Sequence, residues 1–397
     1  MNIAFFTDTY LPDKNGVATS VSQLKSELEA MGHNIYIYTV KHADQKENEF
    51  RIMRWPSVTV MRNVPESRIA FTNPATIAAY LIRDQVDIVH THSEFSLGLT
   101  GRFVSKMLNI PHVHTVHTMW ADYRHYILNG RMLSNRQIGS LFRAFVRPCT
   151  AIVAPSNKAF FYLKSIGIHP YHVNNGLSIE EFINRCSSEK QQAIKEKLGL
   201  TSEDFTILFV GRISDEKRVL ELYDVISAAM KQQNNIKAIF IGRGDKAGVI
   251  EEKIKKNNQE GRFILTGTMP YEEIANYYAV CQAYCTVSTS EVQPMTVIEA
   301  MTMALPIVVH RDHAFDNLIE HGKNGYIGEN DDEVRDYLIQ LAANPEQAHT
   351  MGHQSQILSE HFTSEIQAKN MLKLYNKVVA MGRPHFGFHP VLEKQDP

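Results

Sequence analysis

The stretch TILFVGRISDEK, residues 206–217, decides the fold of the second half of this chain. An apolar run ends at Gly211, and a polar segment with Arg212 and Lys217 leads into an amphipathic helix predicted over Arg218–Lys231. Continuous apolar runs of this length are typical of parallel strands buried on both faces. The segment therefore predicts one strand–loop–helix unit of an open α/β sheet.

The same alternation extends in both directions along the 397 residues. In the first half, strands are predicted at Asn2–Phe6, Ile35–Val40, Asp87–His92, Pro111–Thr115 and Ala151–Pro155. In the second half, they are predicted at Thr206–Val210, Lys237–Ile241, Arg262–Leu265, Ala283–Val287 and Pro306–Val309, with only helices from Gly325 to about Ala380. This pattern predicts an α/β fold with two Rossmann-like, doubly wound domains facing an interdomain crevice.

The break between the halves is predicted within residues 176–203, which contain no strand-like segment. We therefore predict domains over residues 1–175 and 176–374, with a C-terminal segment from about 375 to 397 that could pack back on the first domain. Folds of this kind bind ligands in the crevice, at the carboxyl ends of the strands.

Composition and missing motifs exclude several classes of protein. The chain is 44% hydrophobic and 21% charged, as expected of a globular protein and unlike a disordered chain or a coiled coil. Neither a G-x-G-x-x-G after a first strand nor a P-loop motif is present, which disfavours dehydrogenases and P-loop NTPases. No apolar run approaches the ~20 residues that span a bilayer, and the N-terminus does not resemble a signal peptide. We therefore predict a cytoplasmic protein.

The formal charge of −2 conceals an asymmetry between the two halves. Residues 1–179 carry a net charge of +6, whereas residues 180–397 carry −8. Between Glu94 and Glu180, the only acid is Asp122, against nine lysines and arginines. Such an asymmetry suggests that the first half binds an anionic surface.

Arg212 and Lys217 are candidates for anion binding. They follow a strand and precede a helix, whose N-terminus carries positive partial charge, so together they could hold a diphosphate. In the alternative, Asp215 or Glu216 pairs these cations in a solvated loop. Spacing alone leaves both interpretations open.

A second constellation, EVQPMTVIE at residues 291–299, follows another predicted strand and enters a helix near Thr296. Glu291 lies at the carboxyl end of that strand, where α/β crevices place their chemistry. We predict Glu299 in the first helical turn, where a carboxylate could hold the two vicinal hydroxyls of a ribose. The simpler alternative is that Glu299 only interacts with the positive helix N-terminus.

Together, the two constellations resemble the motifs of the family-4 retaining glycosyltransferases, which have the GT-B fold. That family carries G-R-x3-E-K followed by E-x7-E, and the residues quoted above match both motifs in order. The resemblance covers nearly the whole chain: Asn175-Gly176 matches the N-G before the interdomain linker, Gly16 the N-terminal glycine loop, and His117 the donor-sugar histidine.

The resemblance implies a role for each matching residue. Arg212 and Lys217 would hold the diphosphate of a nucleotide-sugar, Glu299 its ribose, and Glu291 hydroxyls of the donor sugar. Two cations can replace a divalent ion on a leaving diphosphate. The resemblance therefore implies that no metal or other cofactor is needed.

The remaining implied contacts come from His117, which would touch the sugar near its reacting carbon, and Gly16, which would let the backbone approach the phosphates. Pro294 departs from the family pattern, because the fourth position of the E-x7-E loop is commonly glycine. Proline has no N–H, so a phosphate contact from that amide is lost. We expect the backbone amides of Met295 and Thr296 to serve instead.

Five histidines cluster near two predicted strand ends and could be considered as metal ligands: His90, His92, His112, His114 and His117. Only Glu94 joins them as a further candidate ligand, so we predict no metal site and a polar lining of the crevice.

Residues 131–147, RMLSNRQIGSLFRAFVR, predict a basic amphipathic helix with Phe142 and Phe145 on its apolar face. Its basic residues are Arg131, Arg136, Arg143 and Arg147. Such a helix could lie on an anionic bilayer or pack its apolar face on its own domain, and the pattern favours neither.

The segments THSEFSLG at 91–98 and DYRHY at 122–126 resemble the bacterial diacylglycerol glucosyltransferases of the same family. This resemblance favours the membrane interpretation of the basic helix. It implies a peripheral enzyme on the inner face of the cell membrane that transfers a hexose to the 3-hydroxyl of 1,2-diacylglycerol. The implied hexose is glucose, with UDP-glucose as the donor. The expected partners are a UDP-sugar, diacylglycerol or another lipid acceptor, and an anionic membrane surface, with no nucleic acid. The alternatives are a soluble or polyprenyl-linked acceptor, a nucleotide-sugar epimerase of the same fold, and a non-catalytic binding module.

Overall fold

The computed structural model describes residues 1–13, 15–45, 49–61, 64–119 and 135–381 of the chain. These residues form two α/β units, each built on a parallel sheet, and a two-stranded antiparallel hairpin attached to the first unit.

The first unit contains nine strands and five helices among its described residues. The strands are β1 (Asn2–Phe6), β2 (Asn34–Val40), β3 (Ile52–Trp55), β4 (Ser57–Met61), β5 (Val64–Ala70), β6 (Ile88–Thr91), β7 (His112–Thr115), β8 (Ala151–Ala154) and β9 (Tyr171–His172). The helices are α1 (Gly16–Ala30), α2 (Pro74–Arg83), α3 (Ser96–Leu108), α4 (Asn135–Val146) and α5 (Asn157–Ser165). The parallel sheet has the order β3-β2-β1-β6-β7-β8-β9, whereas β4 and β5 form the hairpin. The strand order therefore reverses between β1 and β6, which places a ligand crevice there.

The second unit begins with α6 (Ile179–Asn184) and α7 (Ser188–Leu198). Its strands are β10 (Phe205–Val210), β11 (Ile236–Ile241), β12 (Phe263–Gly267), β13 (Ala283–Thr286), β14 (Ile307–His310) and β15 (Gly325–Gly328). Its later helices are α8 (Val219–Gln232), α9 (Ala247–Lys256), α10 (Tyr271–Ala279), α11 (Met295–Thr302), α12 (Asp331–Ala343), α13 (Pro345–Ser359) and α14 (Ser364–Ala380). The sheet order β12-β11-β10-β13-β14-β15 reverses between β10 and β13. Both sequence motifs follow these two strands, so the fold places them side by side.

Local sequence signals determine where several helices begin and end. The Asn15 side chain accepts a hydrogen bond from the backbone N–H of Ala18 and so caps α1. Asn109 and Gly199 end α3 and α7 in the left-handed conformation that these residue types tolerate.

The C-terminal helix α14 returns to the first unit. Met371, Leu374 and Tyr375 lie in the hydrophobic core around β1. Where the chain passes between units, Leu177 pairs with Thr363, and a Cβ atom on Gly176 would lie 2.3 Å from the Thr363 carbonyl oxygen. Gly176 therefore permits a close crossing of two backbone segments that a larger residue would block.

The predicted run of helices after Gly325 is wrong at its start, because Gly325–Gly328 forms the edge strand β15. A Cβ on Gly325 would lie 2.0 Å from the Ile307 carbonyl oxygen, so the glycine allows β15 to pair closely with β14. The strands β3, β4, β5 and β9 are also absent from the prediction. They are short or lie outside the central sheet, and their sequences lack a long apolar run.

Candidate active site

The two sequence motifs meet at the carboxyl ends of β10 and β13. The Ser290 hydroxyl donates a hydrogen bond to the Glu216 carbonyl oxygen over 2.7 Å. The Lys217 Nζ donates to Glu291 Oε1 over 2.6 Å. These contacts make the G-R-x3-E-K and E-x7-E segments a single surface.

Both predicted cations are paired with carboxylates. Arg212 donates over 3.2 Å to Glu216, one of the two partners named in the alternative interpretation, but Glu216 is buried and not part of a solvated loop pair. Asp215, by contrast, pairs with Lys246 over 2.8 Å. A guanidinium has five N–H groups, and only one N–H of Arg212 is bonded to another described residue. The pairing therefore orients Arg212 and leaves it able to donate to an anion.

Two helix N-termini face each other across the crevice. Helix α11 begins at Met295 after Pro294, and no side chain caps it. Helix α1 of the first unit begins at Gly16, and a Cβ on Gly16 would lie 3.6 Å from Met295 Cγ. Because a helix N-terminus carries positive partial charge, Gly16, Met295 and Thr296 lie where two such ends face the crevice beside the motif cations.

Glu299 lies in the second turn of α11, so the prediction that places it in the first turn is wrong. The helix begins earlier than Thr296, at Met295, which moves Glu299 away from the uncapped N–H groups. Its buried carboxylate accepts a hydrogen bond from the Tyr278 hydroxyl over 2.8 Å. Burial raises the pKa of Glu299 to about 7, although the Tyr278 hydrogen bond opposes this shift.

His117 lies just beyond β7, on the side of the crevice formed by the first unit. Its neighbours Val116 and Met119 share a hydrophobic cluster with Val292, the residue after Glu291. The predicted donor-site histidine and the E-x7-E loop are therefore adjacent across the crevice. Burial lowers the pKa of His117 to about 3, so its ring is neutral at physiological pH.

The histidine cluster is a network of hydrogen bonds. His90 contacts the hydroxyls of Tyr375 and Thr115, at 2.6 and 2.8 Å. His112 and His114 both contact the Thr91 hydroxyl at 2.8 Å. Among the described residues, no group of three or more His, Cys, Asp or Glu side chains is arranged to hold a metal ion.

Contacts between the units include residues that sequence reasoning missed. The Lys158 Nζ of α5 donates to the Thr289 carbonyl oxygen over 2.6 Å and to Asp312 over 3.0 Å. The backbone N–H of Asn175 donates to the Gln293 side-chain oxygen over 2.6 Å. These contacts hold the E-x7-E loop against the first unit, and no local sequence signal pairs residues so far apart in the chain.

A glycine pair after β11 supports the first motif. Cβ atoms on Gly242 and Gly244 would lie 1.8 and 2.0 Å from the carbonyl oxygens of Gly211 and Ile213. Two glycines at this spacing after an apolar run are a sequence signal that could have indicated such a close approach. They let the loop after β11 pack directly beneath the loop that carries Arg212.

The predicted membrane-binding face of α4 is wrong. Phe142 is 1% exposed and Phe145 is 4% exposed, and both pack in the core of their own unit. Arg143 and Arg147 lie on the exposed side of this segment. Arg136 lies within α4, but its side chain is outside the described residues, as is the whole of Arg131.

An exposed apolar stripe lies instead on α3 and the residue before it. Its four large side chains are 50–56% exposed and recur every four residues: Phe95, Leu99, Phe103 and Met107. Phe71 is also exposed, and the residue after it, Thr72, contacts Thr100 of α3 at 2.8 Å. Arg102 of α3 stacks over the Phe145 ring at 5.4 Å and so joins α3 to the basic α4 segment. None of the described helices is both long enough and apolar enough to cross a membrane.

Comparison with known families matches both units. A family model described as "Glycosyltransferase Family 4" matches residues 14–181, and one described as "Glycosyl transferases group 1" matches residues 190–357. An alpha-monoglucosyldiacylglycerol synthase of Acholeplasma laidlawii is 31% identical over 388 residues, which cover 94% of this chain and 96% of that protein. A synthase with the same description from Streptococcus pneumoniae is 31% identical over 337 residues, covering 83% of this chain and 76% of that protein.

Solved structures share the fold over nearly the whole chain. Anabaena Alr3699/HepE, solved in complex with UDP-glucose, superposes with a TM-score of 0.77 at 15% identity, covering 95% of this chain and all of that one. The sucrose-phosphate synthase of Thermosynechococcus elongatus also superposes with a TM-score of 0.77, at 18% identity, covering 96% and 99% of the two chains. The predicted GT-B fold is confirmed.

Proposed function

The chain belongs to glycosyltransferase family 4, as its motifs predict, and is therefore a hexosyltransferase. We propose that it transfers glucose from UDP-glucose to the 3-hydroxyl of 1,2-diacylglycerol at a membrane surface. The configuration at the anomeric carbon is retained. One observation carries the donor side of this proposal. Two oriented cations, two facing helix N-termini and a buried carboxylate converge where both sheets reverse their strand order.

Each part of that convergence suits one part of a nucleotide-sugar. Arg212, Lys217 and the N-termini of α1 and α11 hold the diphosphate. Glu299 accepts hydrogen bonds from the ribose hydroxyls, while Tyr278 orients its carboxylate. Glu291, positioned by its ion pair with Lys217, contacts hydroxyls of the glucose.

The same groups stabilise the departure of UDP. As the bond between the anomeric carbon and the β-phosphate oxygen breaks, negative charge grows on the diphosphate, next to Arg212 and Lys217. The acceptor hydroxyl attacks the anomeric carbon from the face that UDP leaves and passes its proton to the departing β-phosphate oxygen, so the new glycosidic bond keeps the α configuration. These cations and helix N-termini supply the stabilisation that a divalent ion would otherwise provide, and the proposed reaction requires no cofactor.

The acceptor side of the proposal rests on two observations. Two relatives that match most of this chain are described as alpha-monoglucosyldiacylglycerol synthases. The α3 stripe adds an apolar surface to the unit that carries the positive charge, with the exposed Arg143 and Arg147 close by. Apolar side chains flanked by cations bind an anionic bilayer by insertion and by charge attraction. We propose that this surface docks on the inner face of the cell membrane and replaces the α4 face predicted from sequence.

A donor and acceptor panel tests the proposal. The protein is incubated with radiolabelled UDP-glucose, UDP-galactose, UDP-N-acetylglucosamine or GDP-mannose and with anionic vesicles that contain diacylglycerol, and lipid-soluble label is measured. We expect UDP-glucose to give by far the most glycolipid. Transfer only to a soluble or polyprenyl-linked acceptor, or isomerisation of the donor sugar without transfer, would refute the proposed acceptor or reaction.

A further inference from the structure

The histidine beside His117 is placed to control it. His92 lies just after β6 and is only 3% exposed. Its Nδ1 lies 3.1 Å from His117 Nε2, which is a hydrogen-bond distance. Its other nitrogen, Nε2, is buried and has no hydrogen-bond partner among the described residues.

The His92 ring is fixed by its neighbours. It packs at a centroid distance of 3.9 Å against His90 and meets the edge of Phe5 at 4.8 Å. His90 is itself held by Tyr375 from the C-terminal helix and by Thr115. The contact between His92 and His117 is therefore made by a ring that cannot turn away without disrupting the core.

Burial keeps both rings neutral, since it lowers the pKa of His92 and of His117. A neutral imidazole has one N–H donor and one acceptor nitrogen, so one ring donates and the other accepts. If His117 donated, the proton of His92 would lie on its buried Nε2 and would have no acceptor in the part of the chain that the structure describes. If His92 donates from Nδ1, only an acceptor lone pair of His92 is left unpaired, and buried unpaired acceptors are less rare than buried unpaired N–H groups.

We infer that His92 is a positioning residue, which donates from Nδ1 to His117 Nε2 and thereby holds His117 in the tautomer that carries its proton on Nδ1. No described residue accepts a hydrogen bond from that Nδ1–H. If the proposed function holds, His117 donates a hydrogen bond from Nδ1 to an oxygen of the donor sugar. With no lone pair on Nδ1, His117 does not act as the base that deprotonates the acceptor hydroxyl.

The tautomer can be read directly in the wild-type protein. Long-range ¹⁵N–¹H NMR correlations of ¹⁵N-histidine-labelled protein distinguish protonated from unprotonated ring nitrogens, and spectra of His117→Asn and His92→Asn assign the two rings. We expect both rings to carry their proton on Nδ1, which is the less common tautomer of a free imidazole. A proton on Nε2 of His117 would overturn the inference. This readout requires no activity, so it stands even if the proposed substrates are wrong.

Amide variants test the functional consequence. An asparagine amide can occupy the place of His92 Nδ1, whereas a glutamine amide reaches the place of Nε2 and a phenylalanine keeps only the ring. We expect His92→Asn to keep kcat within about threefold of wild type. His92→Gln and His92→Phe should lower kcat by about 10–100-fold, the order of effect seen when a partner that orients a functional side chain is lost. The KM for the acceptor should stay unchanged in all three. Equal loss in all three variants, in proportion to their loss of thermal stability, would indicate a merely structural role and contradict the inference.

Discussion

The proposed membrane surface makes a quantitative prediction for the double variant Leu99→Gln/Phe103→Gln. Both side chains are about half exposed, at 50% and 56%. Transferring the exposed half of a large apolar side chain from water into a bilayer contributes about 1 kcal/mol, roughly half the value for complete burial. Losing two such contributions removes about 2 kcal/mol, which lowers the vesicle partition coefficient about 30-fold. Glutamine is a good helix former, so α3 itself should persist.

Cosedimentation with vesicles of graded anionic lipid content measures this partition coefficient. The matched control is Val249→Gln/Ile357→Gln in the second unit, where two aliphatic side chains are 41% and 44% exposed but lie far from α3 in the chain. We expect the control to bind vesicles like wild type. Unchanged binding of the α3 variant, or an equal loss in the control, would refute the assignment of α3 as the docking surface.

Other predictions concern the donor site and the connection between the units. Lys217→Ala should lower kcat by about 100-fold or more, because it removes a cation from the leaving diphosphate. Lys246→Ala, which removes the pairings with Asp215 and Asp245, should stay near wild type in steady-state kinetics. The pKa of Glu299 is about 7, and its ionised carboxylate is the form that accepts hydrogen bonds from the ribose. Calorimetry should therefore show UDP-glucose binding about tenfold more tightly at pH 8 than at pH 6. Glu299→Gln should remove this pH dependence. The pKa of Glu299 is raised from 4.5 in the unfolded chain to about 7 in the folded state, so between these pH values the folded state binds one proton more than the unfolded state. The free energy of unfolding should therefore fall by about 3 kcal/mol as the pH rises from 4.5 to above 7. Urea titrations of Glu299→Gln should show a flatter dependence on pH. Gly176→Ala should destabilise the protein by about 2 kcal/mol or more in thermal melts, because the new methyl group would lie 2.3 Å from the Thr363 carbonyl oxygen. In the control Gly248→Ala on α9, the new methyl group would meet no atom within 4 Å, so this variant should not be destabilised.

The overall architecture could be predicted because buried parallel strands leave an unambiguous record in the sequence. Phe205–Val210 and Ile236–Ile241 are apolar apart from Thr206 and Lys237, and both are interior strands of the second sheet. The edge strand Gly325–Gly328 could not be recognised in the same way. It has four residues, two of them glycine, and its pairing depends on close backbone contact with β14.

The two motifs were recognisable because each combines a strand end with charged residues at fixed spacing. Their mutual contacts were not, since Lys217 and Glu291 are separated by 74 positions and no local pattern pairs them. The displacement of Glu299 from the first helical turn had a local cause. The helix begins directly after Pro294, one residue earlier than predicted, because proline is acceptable immediately before or at the start of a helix.

The surfaces of amphipathic helices were the least predictable feature. Helix α4 and helix α3 both carry apolar residues on more than one face, and the sequence does not show which face the domain will cover. In α4, the stripe with Phe142 is covered, whereas α3 buries Leu97 and Val104 and leaves Leu99 and Phe103 in solvent. Only the packing of neighbouring elements distinguishes these two outcomes.

The central claim is tested most directly by the anomeric configuration of the lipid product. Purified protein is incubated with UDP-glucose and anionic vesicles containing 1,2-diacylglycerol, and the product is identified by mass spectrometry and by the ¹H coupling constant at the anomeric carbon. The proposed function predicts one main product, an α-linked monoglucosyldiacylglycerol substituted at the 3-hydroxyl, which Lys217→Ala forms about 100-fold more slowly or not at all. A β-linked product, or no glycolipid from protein that binds both UDP-glucose and the vesicles, would contradict it.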